Sequence, residues 1–288
     1  MLITEDWQDF EIIDTGGGEK LERWGKYILR RPDPQVIWPI SNNKKTWDNA
    51  DAHYIRSQSG GGEWQYKKRL PKRWEISYDK ISMYVEPTGF KHTGIFPEQA
   101  VNWKWIIEKI KTSSRQVKVL NLFAYTGGAT VAAALAGAEV CHVDASKGMV
   151  SRAKGNLELS GLSDKPVRFI TDDVIKFVQR EIRRGNLYDA VIMDPPAYGR
   201  GPGGELWKIE DELYDLVRLC TDVFCKEPLF FIINAYTTGL APSVLKNILM
   251  LLMKKKFGGN VSGDEIGLPV TESGIVLPCG ATGKWENW

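Results

Sequence analysis

Residues 117–138 read VKVLNLFAYTGGATVAAALAGA. An apolar run rich in Val and Leu meets a glycine pair and then becomes an alanine-rich segment. That is the pattern of a buried strand turning directly into a helix. The same alternation repeats downstream. EVCHVDA (139–145) precedes SKGMVSRAKGNLELSGL (146–162), and VRFITDD (167–173) precedes VIKFVQREIRRGN (174–186). YDAVIMD (188–194) leads to a helix near 209–224, and PLFFIINAY (228–236) to APSVLKNILMLLMKKK (241–256). VSGDEIGLPV and GIVLPCGATG, joined by the short link TESG, close the chain as an antiparallel hairpin. Five strand–helix units in succession specify a doubly wound α/β fold around a parallel sheet.

Ligands of such sheets sit outside the carboxyl ends of the strands, so the strand ends carry the functional reading. The first ends on Ala124, Tyr125, Thr126, Gly127 and Gly128, where adjacent glycines let backbone approach a ligand at a helix N-terminus. The second ends on Asp144, the third on Asp172-Asp173 and the fourth on Asp194. A single aspartate in such a place is commonly a helix N-cap; four along one rim favour a nucleotide-like ligand. The turn lacks the GxGxxG spacing of a dinucleotide site, and no GxxxxGK[ST] string occurs, so dehydrogenase and P-loop readings are set aside.

Composition is that of an ordinary globular chain. Of 288 residues, 38 are Lys or Arg and 36 Asp or Glu, a net charge of +2 too balanced to announce a nucleic-acid binder. Four cysteines without a CxxC pair indicate neither zinc nor redox chemistry. The acidic N-terminus lacks a signal-peptide layout, and ILMLLM (248–253) is too short to cross a bilayer. A cytoplasmic protein without membrane or metal partner is expected, its oligomeric state open. Six of the eleven tryptophans lie in the first 74 residues, among short runs broken by TGGGEK, RRPDPQ and SGGGEW. Residues 1–90 are therefore expected to form a small, mainly β domain, and 91–288 the α/β domain.

VLNLFAYTGG, VDAS, TDDV and MDPPAYG, in that order, resemble class I S-adenosylmethionine (SAM)-dependent methyltransferases. Within them the chain is similar to the group that includes the bacterial 23S rRNA cytosine-5 methyltransferases, over roughly residues 75–288. The resemblance implies a Rossmann-like seven-stranded sheet with its last strand antiparallel, and SAM as cofactor. It places methionine at Ala124–Gly128, the ribose at Asp144 and Ala145, and adenine at Asp173 or Asp172. Phe96 and Gln99, from HTGIFPEQ (92–99), would wall the pocket.

Methyl transfer is mainly in-line positioning plus removal of a proton. Asp194-Pro195-Pro196 suits a planar amine acceptor: the carboxylate and a proline-locked carbonyl accept its N–H bonds, and Tyr198 offers a ring for stacking. That ring stands one position later than in the usual Asp-Pro-Pro-Tyr form. The segment GRGPGGELW (199–207), with Arg200, is either a loop closing over substrate or a plain connection. In the rRNA enzymes of this group a cysteine nucleophile follows the fifth strand; here that string is INAYTTG (233–239). Transfer to nitrogen or oxygen is therefore expected rather than cytosine-5 chemistry. RWGKYILRR (23–31) and WQYKKRLPKRW (64–74), with Lys67, Lys68 and Arg69, interleave rings and cations as single-stranded RNA binders do. Yet residues 1–90 hold fourteen cations and fourteen anions, so a solvated face stands beside that reading. Two acceptor classes stay open: RNA, with rRNA foremost, or a small molecule or protein with the N-terminal domain as a lid.

Overall fold

The computed structural model describes residues 1–40, 44–57, 61–89, 91–200, 206–237 and 239–287. The chain divides into two compact units, one of Leu2–Val101 with Ile266–Cys279, the other of Met1, Asn102–Glu265 and Gly280–Trp288.

The N-terminal unit is built from β1 (Leu2–Ile3), β2 (Phe10–Gly16), β3 (Glu19–Trp24), β4 (Tyr27–Pro32), β5 (Ala52–Arg56), β6 (Gly62–Tyr66), β7 (Trp74–Tyr78) and β8 (Ile81–Val85), with α1 (Lys44–Asp48). Five strands form a sheet in the order β2-β3-β4-β5-β6, and β7 and β8 a separate hairpin. The TGGG turn works as a two-residue hairpin loop. Gly17 and Gly18 have φ of 61° and 80°, the left-handed pair that matches strand twist.

The tryptophans form the core and edges of this small sheet. Trp24 and Trp47 are buried, and all six indole N–H groups of residues 1–74 find an acceptor. Large rings with a polar handle let a small unit bury enough area while satisfying its polar atoms.

Where the sequence reading drew a boundary at residue 90, this unit also takes in 91–101 and the tip of the C-terminal hairpin. Hydrogen bonds account for both: Thr4 Oγ1 donates to the Glu98 carbonyl at 2.7 Å. The N–H groups of Thr271 and Glu272 donate to the carbonyls of Ile12 and Ile13, each at 3.0 Å.

The second unit holds α2 (Ala100–Thr112) from Asn102 onward, β9 (Lys118–Leu122), α3 (Gly128–Leu135), β10 (Glu139–Asp144), α4 (Lys147–Leu159), β11 (Val167–Thr171) and α5 (Val174–Arg184). It continues through β12 (Ala190–Met193), β13 (Tyr198–Arg200), β14 (Leu206–Lys208), α6 (Ile209–Cys220), β15 (Phe230–Ala235), α7 (Pro242–Leu249) and α8 (Lys255–Phe257). β16 (Asn260–Pro269) and β17 (Val276–Glu286) close the chain.

The sheet order is β16-β17-β15-β12-β9-β10-β11, with β17 antiparallel to β15, which is the expected Rossmann-like arrangement. An eighth strand, β1, pairs in parallel with Ile266 and Gly267 of β16. Its two residues carry no periodic signal, so sequence reading passes over them. AVIM of β12 and FFIINA of β15 are buried throughout, as parallel strands covered on both faces must be. Phe177, Leu213, Leu216 and Leu245, from α5, α6 and α7, pack on one face of the strands. Each fully buried side chain of this kind contributes about 1.5–3 kcal/mol. Ala132, Ala133 and Ala134 of α3 are buried and small, which brings that helix close against β10. No helix among the described residues is long and apolar enough to cross a membrane.

Candidate methyl-transfer site

The chain order reverses beside β9: β10 and β11 lie to one side of it, β12 and β15 to the other. Met193 of β12 is the register partner of Leu122 of β9. The Asp194 N–H continues the pairing to the Leu122 carbonyl at 3.4 Å. Two turns therefore leave adjacent strands at the switch point, Phe123–Gly128 after β9 and Asp194–Ala197 after β12.

The first turn is strained and tightly held. Phe123 and Tyr125 have φ of 52° and 50°, values that cost a side-chain-bearing residue on the order of 1–3 kcal/mol each. Four bonds keep them there. Ala124 N–H donates to the Val143 carbonyl at 3.1 Å, and Gly127 N–H to the Ala124 carbonyl at 3.0 Å. Tyr125 N–H donates to Asp144 Oδ2 at 2.9 Å. The buried Asn156 Nδ2 donates to the Thr126 carbonyl at 2.8 Å. The glycines do two different things. Gly127, at φ 86°, is the left-handed N-cap of α3. Gly128 makes room for the Trp103 ring, which an added Cβ would meet at 2.5 Å. At Gly128 the missing side chain is thus needed for packing against Trp103.

Beneath the turn runs a buried polar chain that sequence reasoning missed. Asn121 Nδ2 donates to Thr130 Oγ1, and Thr130 Oγ1 lies 2.9 Å from His142 Nδ1. Burial pushes His142 down to about 3, so the ring is neutral at physiological pH. The signal for this chain was visible as single polar residues inside the apolar runs VLNL and VCHVD.

The rim aspartates separate by environment. Asp144 is half-buried, and its two oxygens accept from the N–H groups of Tyr125 and Ser146 at 2.9 and 2.8 Å. Burial raises its carboxyl above the ordinary 3.8, against the pull of those two donors. Ala145 beside it is exposed. Asp173 is the N-cap of α5, accepting from Lys176 N–H at 2.9 Å, and Asp172 is paired with Arg180. The capping role that one aspartate alone suggested is thus present at Asp173.

On the second turn Pro195 is buried and Pro196 exposed. The Pro196 carbonyl accepts from Trp207 Nε1 at 2.6 Å. Tyr198 is 54% exposed and pairs through its backbone with Lys208, because β13 and β14 form a short antiparallel ladder. The stretch read as a glycine-rich loop is therefore a hairpin at its ends; residues 201–205 and the Arg200 side chain lie outside the described residues.

The remaining candidates belong to the other unit. Phe96 is half-buried, edge-on to His92 at 5.5 Å between ring centroids, and Gln99 is buried in the short 3-10 turn Pro97–Gln99. Lys67 Nζ donates to the Asp48 carbonyl at 2.6 Å, Lys68 pairs with Asp51, and Arg69 is exposed.

None of the four thiols is activated. Burial raises Cys141, Cys220 and Cys279, and it raises Cys225, which also donates to the Asp189 carboxylate at 3.1 Å. Among the described residues no group of three or more His, Cys, Asp or Glu is placed to hold a metal ion. The donor set suits a ribonucleoside sulfonium instead. Asp144 keeps lone pairs beyond its two backbone bonds. The first turn of α3 presents helix N–H groups at the same place.

Comparison with known proteins agrees with this geometry. The family profile described as S-adenosylmethionine-dependent methyltransferase matches residues 28–239. The crystal structure of a SAM-dependent methyltransferase from Agrobacterium tumefaciens superposes with a TM-score of 0.94 at 37% identity, covering 100% of this chain and 93% of that one. The structure of SMU.776 complexed with SAH shares the fold, with a TM-score of 0.73 at 20% identity over 98% of this chain and 76% of that one. A ribosomal RNA large subunit methyltransferase K/L from Syntrophotalea carbinolica is 30% identical over 170 residues, 58% of this chain but 23% of that protein. The chain thus spans about a quarter of the length of that curated relative. With its cofactor S-adenosylmethionine, the chain belongs to the S-adenosylmethionine-dependent methyltransferase family.

Proposed function

We propose that this protein transfers a methyl group to a nitrogen of an RNA base, rRNA foremost, with Asp194-Pro195-Pro196 on the acceptor side. The observation that carries the reading is the pairing of Met193 with Leu122, which sets the acceptor turn beside the Phe123–Gly128 turn. The cofactor supplies an activated sulfonium methyl when bound. Asp144 with Ala145 takes the ribose, Ala124–Gly128 the methionine, and Asp172 or Asp173 the adenine. Asp194 and the Pro195 carbonyl accept hydrogen bonds from an exocyclic amine. That aims the nitrogen lone pair at the methyl, and the carboxylate receives the proton the nitrogen loses.

Two observations support nitrogen over carbon. All four thiols are raised, and INAYTTG offers no cysteine. Cytosine-5 chemistry needs a thiolate attack on the ring. RNA is supported by the printed names of the relatives, ribosomal RNA large subunit methyltransferases. On the chain itself, WQYKKRLPKRW leaves Tyr66 and Arg69 exposed and sets Arg73 4.2 Å over the Tyr84 ring. RWGKYILRR contributes less: Arg23, Arg30 and Arg31 are paired with Glu11, Glu19 and Glu22.

The test is transfer from methyl-tritiated SAM into RNA, protein and small-molecule fractions of a strain lacking the gene. Label in RNA that digests to an N-methylated nucleoside is the expected result. Label confined to protein or metabolites overturns the RNA reading, and 5-methylcytidine overturns the nitrogen assignment.

A further inference from the structure

The Asp194-Pro195-Pro196 turn has a mechanical difficulty. Proline lacks a backbone N–H, so after Asp194 N–H bonds the Leu122 carbonyl the next two residues donate nothing to hold the turn. It must be anchored through its carbonyls, and a donor has to come from elsewhere. That donor is Trp207 Nε1, at 2.6 Å from the Pro196 carbonyl.

Trp207 stands in β14 opposite Gly199, and a Cβ added at Gly199 would lie 3.7 Å from the Pro196 ring and 3.9 Å from Trp207 Cβ. The turn is closed once more by Ile209 N–H donating to the Ala197 carbonyl at 3.1 Å. The same indole also meets Phe123, with ring centroids 5.3 Å apart and planes tilted by 49°. Phe123 is the first of the two left-handed residues of the cofactor turn. One side chain therefore bonds the acceptor turn and packs on the cofactor turn.

We propose that Trp207 is a positioning residue that couples the two turns and so sets the distance and line between methyl donor and acceptor; this rests on the acceptor role of Asp194-Pro195-Pro196. In-line transfer depends on that geometry, and a displacement near 1 Å costs on the order of 100-fold in rate. The indole N–H fixes the height of the acceptor turn, and the ring face transmits that position to Phe123.

The test uses the full chain with the RNA fraction that accepts label. Trp207→Phe keeps a ring against Phe123 and removes the N–H, while Trp207→Ala removes both. Single-turnover transfer at saturating SAM, SAM affinity by calorimetry and thermal melting are measured for each, with Asp194→Ala in parallel. The expected result for Trp207→Phe is a rate lowered about 10- to 100-fold, with SAM affinity within about 3-fold of the parent and the fold intact at assay temperature. Trp207→Ala should lose rate further and weaken SAM binding as well, through the freed Phe123. A Trp207→Phe protein that transfers at the parent rate while Asp194→Ala is inactive overturns the coupling alone. A rate that falls only in step with the folded fraction also overturns it, leaving the residue purely structural. An Asp194→Ala protein of parent activity overturns the acceptor reading itself, and the coupling with it.

Discussion

The two units handle buried polarity in opposite ways. In the N-terminal unit, charge is saturated: Arg31 bonds both oxygens of Glu22, at 2.6 and 2.8 Å, and its third nitrogen donates to the Lys91 carbonyl. Both side chains are buried, and Lys20 adds a further cation at 3.5 Å. In the α/β unit the strand-end carboxylate Asp144 is half-buried and accepts from two backbone N–H groups, with no cation beside it among the described residues. A network whose every atom is matched serves the fold. A carboxylate that burial penalises and whose bonding capacity is not filled is a candidate to bind a ligand.

The largest effect should come from breaking the saturated side. Arg31→Met leaves the Glu22 charge buried beside Lys20 alone, and should destabilise the protein by about 3–5 kcal/mol. Urea unfolding reads this directly; a loss under about 1 kcal/mol would show that the pair is loosely solvated and that the contrast is overstated.

A smaller effect lies in the signs of the two carboxyls with pH. Burial alone would raise Glu22, but the charges of Arg31 and Lys20 outweigh it and hold the group below its ordinary 4.5. Its stabilisation is therefore present above about 4.5 and is lost as pH falls through the lower folded value. Asp144 runs the other way. Its folded value is raised, so its contribution is present below 3.8 and is lost as pH rises through the raised value. Urea midpoints of the cofactor-free protein from pH 7 downward should thus fall less steeply in acid for Glu22→Gln than for the parent. For Asp144→Asn they should fall more steeply, the protonation gain being gone. Equal slopes in both variants would remove the distinction.

Much of the α/β unit was legible because its determinants are local. Continuous apolar runs such as VLNL and AVIM mark strands buried on both faces. The tryptophan cluster was legible as a separate region, but the bonds by which its indoles anchor core and edges, such as Trp47 to Asp14 and Trp74 to the Trp24 carbonyl, were not. What stayed hidden is what depends on distant partners. Neither the left-handed Phe123 and Tyr125, the pairing of β1 with β16, nor the bond from Trp207 to Pro196 leaves a periodic trace. Each is imposed by hydrogen bonds across many residues of sequence. The offset of Tyr198 was visible, but its backbone pairing with Lys208 in the β13–β14 ladder was not.

The proposed division of labour at the switch point sets Asp144 on the cofactor side and Asp194 on the acceptor side. SAM titration by calorimetry of Asp144→Ala and Asp194→Ala, side by side with the parent, tests it most directly. A loss of SAM affinity of about 10-fold or more is expected for Asp144→Ala, the charged acceptor of two ligand hydroxyls being removed. Asp194→Ala should stay within about 3-fold of the parent while methyl transfer is lost. Equal loss of SAM affinity in both variants would contradict the division and place Asp194 in the cofactor pocket.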